Sequence, residues 1–315
     1  MRFRKRENQW PEGKSFAFTI IDDTDNSTIN NTKCIYELLH SCGLKTTKTV
    51  WVYKPRDSFV GDYLLQSEYL SYVKWLRSLG FEIQLHNVGS GSFERCEIIR
   101  GFEEFNNLLG NYPSMHINHS VNPDNIYWGN KRFGSFLRFF LNVFFRQKMY
   151  YGDEIKSIFF WGDVCRKRIK YIRNRVFLNV NTLKCDPKMP FIEKKKVYSN
   201  LWFSSSDGHS ITLFNDLTSE RNINKLIKEG GCCIVYTHFA SGFLNDDGTL
   251  NANFVKNIEY LSKQNGWFVP ATQLLDYLAL MKDENSSEPV SQLYLNFLDL
   301  RWLLERLFKK VKYKI

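Results

Sequence analysis

The chain has 315 residues, 43% of them hydrophobic and 16% aromatic, which is enough to bury one large α/β core or two small ones and too apolar for a disordered polymer. Its formal charge of +10 comes with no zinc-finger spacing, aromatic RNA-binding motif or helix-turn-helix, which argues against nucleic acid and leaves an anionic lipid surface or an anionic glycan group as the complement. Seven cysteines without a CxxC spacing fit reduced thiols, and the basic opening stretch lacks the apolar run of a signal peptide, so a cytoplasmic protein is expected.

A basic arm over 1–13 leads into "SFAFTII", a strand with no polar face and therefore buried on both sides. The next stretch, "STINNTKCIYELLHSCG", places Ile35, Leu38, Leu39 and Cys42 at helical spacing, with Ser27 as the expected cap and Gly43 as the stop. "TKTVWVY" reads as a second strand, and Leu65, Tyr69, Val73 and Leu76 form the stripe of a second helix closed by Gly80. A third strand, "FEIQLH", and a helix bearing Ile98, Phe102, Phe105 and Leu109 lead to "SMHIN". After a long aromatic and basic stretch, about 128–200, the alternation resumes with "LWFSSS", helices around 220–229 and 253–264, "CCIVYTH", "WFVP" and "ATQLLDYLALM".

Repeated strand-helix units predict an α/β fold with a parallel sheet covered by helices, and place a functional site at the C-terminal strand ends. The main domain, its sheet closed as a barrel or open, is expected over 14–281, with an insertion at about 128–200. Residues 282–315 read as a linker and a basic amphipathic helix. That helix and the Phe-rich "FLRFFLNVFF" are too short or too charged to span a bilayer; either could lie on an anionic membrane surface, with Lys309, Lys310, Lys312 and Lys314 toward the headgroups, and docking on the barrel is the plainer reading.

Five of the six histidines (His86, His116, His119, His209 and His238) fall at or just beyond predicted strand ends, as do Asp22, Asp23 and Asp207. Imidazoles and carboxylates gathered on one rim are what a divalent metal site requires, whereas histidines serving only as surface or core residues would be scattered over helices as well; the alternative is that they cap strands and bond loop carbonyls.

The run "FAFTIIDDTD", "IQLHNVGSGS", "HINHSVNP", "SSSDGHS", "CIVYTHFASG" and "GWFVPATQLLDYL" resembles the polysaccharide deacetylase, or NodB-homology, family over about residues 14–280. The resemblance implies an irregular (β/α) barrel of about seven parallel strands, of the NodB and glycoside hydrolase-deacetylase type, with the insertion between middle strands. It implies Asp22 as general base, Asp23 and His86 as metal ligands and His238 as the acid that protonates the leaving amine. Three departures stand out: Ser90 replaces the family's second histidine, "HINHS" replaces the arginine-proline motif, and Asp207 with His209 is all that remains of a longer acidic motif. His119, or else His116, is then the substitute third ligand.

A divalent ion, zinc foremost, held by Asp23, His86 and His119 would polarise an acyl carbonyl and acidify its water, with Asp22 as base. The expected reaction is removal of an N- or O-acetyl group from a carbohydrate; the alternative is a catalytically silent barrel that binds a glycan. Asp25, Arg56, Asn87, His116, Trp128, Asp207 and His209 are the candidates for substrate contact or support of the site. Tyr127, Trp128 and Trp161 offer faces for sugar rings, although packing among themselves explains them as well.

Overall fold

A computed structural model describes residues 10–144, 149–282 and 288–313 of the chain. Strand β1 (Phe16–Asp22) is buried along its whole length. It is followed by α1 (Ile29–Ser41), β2 (Thr47–Val50), α2 (Ser67–Ser78), β3 (Glu82–Leu85), α3 (Arg95–Leu109) and the two-residue β4 (Met115–His116). Then come α4 (Ser135–Phe144), α5 (Gly162–Arg168), β5 (Tyr171–Phe177), the short α6 (Thr182–Cys185) and β6 (Leu201–Asp207). The chain continues with α7 (Ile211–Leu217), α8 (Glu220–Glu229), β7 (Cys232–Thr237), α9 (Ala252–Ser262), β8 (Gly266–Phe268), α10 (Ala271–Leu280) and α11 (Gln292–Tyr313).

All strand pairs are parallel, and β1 closes the sheet into a ring. One edge of β1 lies along β7 from Ala17 to Asp22. Its other edge is shared: β8 holds Phe16, Ala17 and Phe18, while β2 takes over at Ile21 and Asp22. The ring is therefore a barrel of seven strands, β1 to β7, with β8 wedged in below. This is the irregular (β/α) barrel that the resemblance implies.

Local sequence explains most elements. Thr28, one residue after the expected Ser27, caps α1 through a reciprocal box with Asn31, and Gly43 takes a φ of 71° where the helix stops. In α3 the stripe Ile98, Phe102, Phe105 and Leu109 is buried, and Gly110 ends it at φ 77°. The α2 stripe starts later than expected, because Leu65 is half-exposed and Tyr69, Tyr72, Val73 and Leu76 face the core. Burying Phe16, Phe18 and Ile20 of β1 stabilises the barrel by roughly 1.5–3 kcal/mol per side chain.

Two features differ from the sequence reading. The stretch 128–200 contains a barrel strand, β5, so only the residues around it lie outside the ring. The C-terminal helix α11 is docked on the rim: Asp299 takes Arg175 of β5, while Arg306 and Lys309 reach Asp207 at the end of β6. Lys309 is buried in that contact and Lys312 pairs with Asp216, so two of the four lysines expected at headgroups serve the barrel instead. Lys314, residues 1–9 of the basic arm and 283–287 of the linker lie outside the described residues. No helix among the described residues is long and apolar enough to cross a membrane. All seven cysteines are free thiols, and Cys232 and Cys233 are buried in β7.

Candidate active site

Consecutive residues of an extended chain point to opposite faces, and this separates the acidic pair that ends β1. Asp22 turns toward the helical layer. Its Oδ2 accepts from Lys48 Nζ at 2.9 Å and from Tyr36 Oη of α1 at 2.8 Å, and its Oδ1 accepts from the Phe239 amide at 3.0 Å. Neither Asp22 nor Lys48 is exposed. Burial alone would lower the Lys48 pKa, but the Asp22 charge outweighs it and the ammonium is held above its ordinary range. The base expected at this position is thus fully buried against Lys48, Tyr36 and the Phe239 amide.

Asp23 faces the barrel mouth, yet its partner is not a histidine. Both of its oxygens accept from Arg173 of β5, with Nη1 at 2.9 Å from Oδ1. Burial opposes the Arg173 charge, and Asp23 raises its pKa in spite of that. His238 Nε2 lies 4.0 Å from Asp23 Oδ2.

The carboxylate among the imidazoles is that of Asp25. Its Oδ1 lies 3.0 Å from His86 Nε2 and 3.3 Å from His119 Nε2, and its Oδ2 lies 3.3 Å from His238 Nε2. Burial works against a charged Asp25, but His86, His119 and His238 hold its carboxyl well below the usual carboxylate range. The ligand trio expected as Asp23, His86 and His119 is thus met in space by Asp25, His86 and His119, whose donor atoms all lie within 4.8 Å of one another.

The two imidazoles are oriented from behind. His86 follows β3 and its Nδ1 donates to the Ile117 carbonyl at 3.1 Å, while His119 Nδ1 donates to Asn122 Oδ1 at 3.1 Å. Each ring therefore turns Nε2, the nitrogen that an ion would take, toward Asp25. Asn87 supports this arrangement from the left-handed region, φ 51°, where asparagine is tolerated. Its Oδ1 accepts the His119 amide at 2.7 Å and its Nδ2 donates to Asp124 at 2.7 Å. The Ser90 hydroxyl sits 3.4 Å from His119 Nδ1, so the imidazole from beyond β4 stands over the position where the family carries a second histidine.

His86 Nε2, His119 Nε2 and Asp25 Oδ1 are buried and have no hydrogen-bond partner. Two imidazole nitrogens and a carboxylate oxygen, converging and buried with no hydrogen-bond partner, are a donor set that fits a zinc-like divalent ion.

His238 Nδ1 donates to the His209 carbonyl at 2.9 Å, leaving Nε2 toward Asp25. Burial disfavours the imidazolium, but Asp25 and then Asp23 raise its pKa to about 9. His209 Nδ1 lies 2.8 Å from Asp207 Oδ1, and Asp207 Oδ2 receives Arg306 at 3.2 Å and Lys309 at 2.9 Å. Burial would raise the Asp207 pKa, but these partners hold it far below the usual range.

The remaining candidates sit elsewhere. His116 is buried against Trp161 at 4.8 Å, and burial pushes it down to about 3, so it is a neutral core imidazole outside the cluster. Arg56 pairs with Glu97 on the surface and covers Phe93. Trp128 stacks with Arg132 at 4.7 Å, and Trp161 is buried. Sequence reasoning missed Arg173, Arg306 and Lys309. For Arg173 the available signal is the alternation in "YIRNRVF", which lies inside the stretch expected as an insertion.

Neither a protein-family model nor a curated protein matches the sequence. Solved structures do match the fold. PuuE allantoinase is 9% identical, covers 89% of this chain and 95% of its own, and superposes with a TM-score of 0.55. A protein described as a probable polysaccharide deacetylase from Pseudomonas aeruginosa is 9% identical, covers 88% and 95%, and has a TM-score of 0.54. The chain therefore has the fold of the NodB-type deacetylase barrel.

Proposed function

We propose that the chain is a metal-dependent hydrolase that removes an N- or O-acetyl group from a carbohydrate, with Asp25, His86 and His119 as the ligands of a zinc-like ion. The observation that carries the proposal is the set of three buried donor atoms turned toward one another with no hydrogen-bond partner. The neighbours' names differ, so the acyl-sugar substrate rests on the order of motifs in the sequence together with the shared fold. His119 standing beside Ser90 supports a complete ligand set and weighs against a silent barrel.

Bound there, the ion would polarise the acyl carbonyl and acidify water. Asp23 is the general base in this reading. Arg173 fixes its plane, and its Oδ2 borders the mouth beside His238. The proton of the attacking water passes to Asp23, and His238 Nε2 gives its own to the departing nitrogen or oxygen. The His209 carbonyl fixes the His238 tautomer by accepting its Nδ1 proton. Asp22 holds β1, β2 and α1 in register beneath the site.

Metal analysis of the purified full chain tests the assignment. Asp25→Ala and His119→Ala should retain far less than one ion per chain. Asp23→Asn should keep the ion and lose hydrolysis of N-acetylglucosamine oligomers by about 10²-fold or more, the scale of a lost general base. Loss of the ion from Asp23→Asn with retention in Asp25→Ala would return the ligand role to Asp23.

An anionic membrane surface remains the proposed partner of the α4 and α11 face, supported by exposed Phe136, Phe139, Leu300 and Leu304.

A further inference from the structure

Arg132 ends the short 3-10 turn Gly129–Arg132, and its guanidinium carbon lies 4.7 Å from the ring centre of Trp128, 4.9 Å from Phe133 and 5.1 Å from Trp302. Arg306 places its own guanidinium 5.4 Å from the same Trp302 ring. Two like charges drawn to one indole repel each other unless an anion lies between or beside them. Among the described residues no carboxylate lies within ion-pair distance of Arg132, and its Nε is buried without a hydrogen-bond partner. Nη1 of Arg175 is likewise buried and unpartnered, although the Nε of that residue donates to Asp299 at 2.8 Å. Arg175 pairs with Asp299, and Arg306 and Lys309 share Asp207, which leaves Arg132 without a carboxylate among the described residues. The strain shows on Arg132, which burial, then Arg306 and Arg175, push down to about 10.

This cationic group adjoins the reaction centre across one side chain. Arg306 reaches Asp207, which stands opposite Tyr236 in the register of β6 and β7, and Arg132 shares the Trp302 ring with Arg306. The Tyr236 ring in turn lies 4.4 Å from the Arg173 guanidinium carbon and 5.7 Å from the His238 ring. A planar guanidinium fork matches a carboxylate or a phosphate, and an aromatic frame holds it in place at little cost in entropy.

We infer that Arg132 and Arg306, beside Tyr236, form an anion subsite that takes a carboxylate or phosphate carried by the sugar whose acyl group reaches Asp25 and His238. The sugar part rests on the proposed function, whereas the anion site stands on its own. Titration calorimetry on the full, metal-loaded chain tests it with three probes: inorganic phosphate, glucuronate and neutral glucose. At least one anion should bind and glucose should not; binding of phosphate alone points to a phosphorylated sugar, and of glucuronate alone to a uronic acid. Arg132→Gln should weaken anion binding by about 10-fold or more, the scale of a lost charge-assisted hydrogen bond, with the metal content unchanged. Arg132→Lys keeps the charge without the fork, should bind more weakly than the native chain, and serves if the glutamine variant does not fold. No binding of either anion, or equal binding by the native chain and whichever variant folds, overturns the inference. Because the readout is binding, a failure of hydrolysis leaves this test standing.

Discussion

At the scale of single residues, the three carboxylates of "IDDTD" have three different fates, set by which way each side chain points. Asp22 and Lys48 form a fully buried ion pair completed by the Tyr36 hydroxyl and the Phe239 amide. Removing one partner of such a pair strands the other, so Lys48→Met should cost about 3–5 kcal/mol, read as a lower midpoint in urea with an unchanged slope. A second prediction concerns His238 in the metal-free chain. Its pKa is raised from 6.5 to about 9, so the stability it contributes is fully present below pH 6.5 and is lost as the pH rises through about 9. With metal removed by a chelator, the melting temperature should fall across that window, and in His238→Gln this part of the fall should vanish. The sequence made the acidic pair and the histidines legible, because residue type and position at a strand end carry that signal. It did not show that Asp25 stands among the imidazoles, since the alternation at the end of β1 and the turn after it decide which carboxylate meets which ring.

At the scale of elements, β5 and α11 carry what the sequence left hidden. The strand "YIRNRVF" looks like part of a basic insertion because its charges are neutralised only by distant residues: Arg173 by Asp23 of the loop after β1, and Arg175 by Asp299 of α11. The short apolar runs of β1, β3 and β7 show themselves as strands without such help. Helix α11 buries Leu295, Leu298 and Asp299 against the barrel and sends Arg306 and Lys309 to Asp207, which holds His209, whose carbonyl orients His238. The helix is therefore a positioning element for the proposed acid. Lys309→Met should lower kcat more than it raises KM and should shift the basic limb of the pH profile, while metal content stays at the native level. A purely structural role for Lys309 would lower stability and leave that limb where it is.

At the scale of the whole molecule, the docked helix turns the membrane question into a geometric one. Leu293, Phe297, Leu300, Leu304, Leu307 and Val311 recur at steps of 4, 3, 4, 3 and 4, and each is at least 50% exposed. They form one straight apolar stripe on the side of α11 away from Asp299, Arg306 and Lys309. The neighbouring α4 adds Phe136 and Phe139, and Arg138 and Lys310 are exposed beside these residues. An apolar stripe of this size at an exposed surface marks a contact site, and the chain's formal charge of +10 favours an anionic partner. Flotation of the metal-loaded full chain with vesicles of anionic and of neutral lipid checks this. The native chain should float with the anionic vesicles, and adding salt should weaken the association. Leu293→Glu combined with Leu300→Glu should abolish flotation while keeping the ion and the melting temperature, because these side chains are 81% and 57% exposed. Equal flotation of the two proteins removes the stripe as the membrane contact. If the native chain instead sediments as a dimer that the double variant breaks, the 4-3 spacing is read as a seam between two copies of α11.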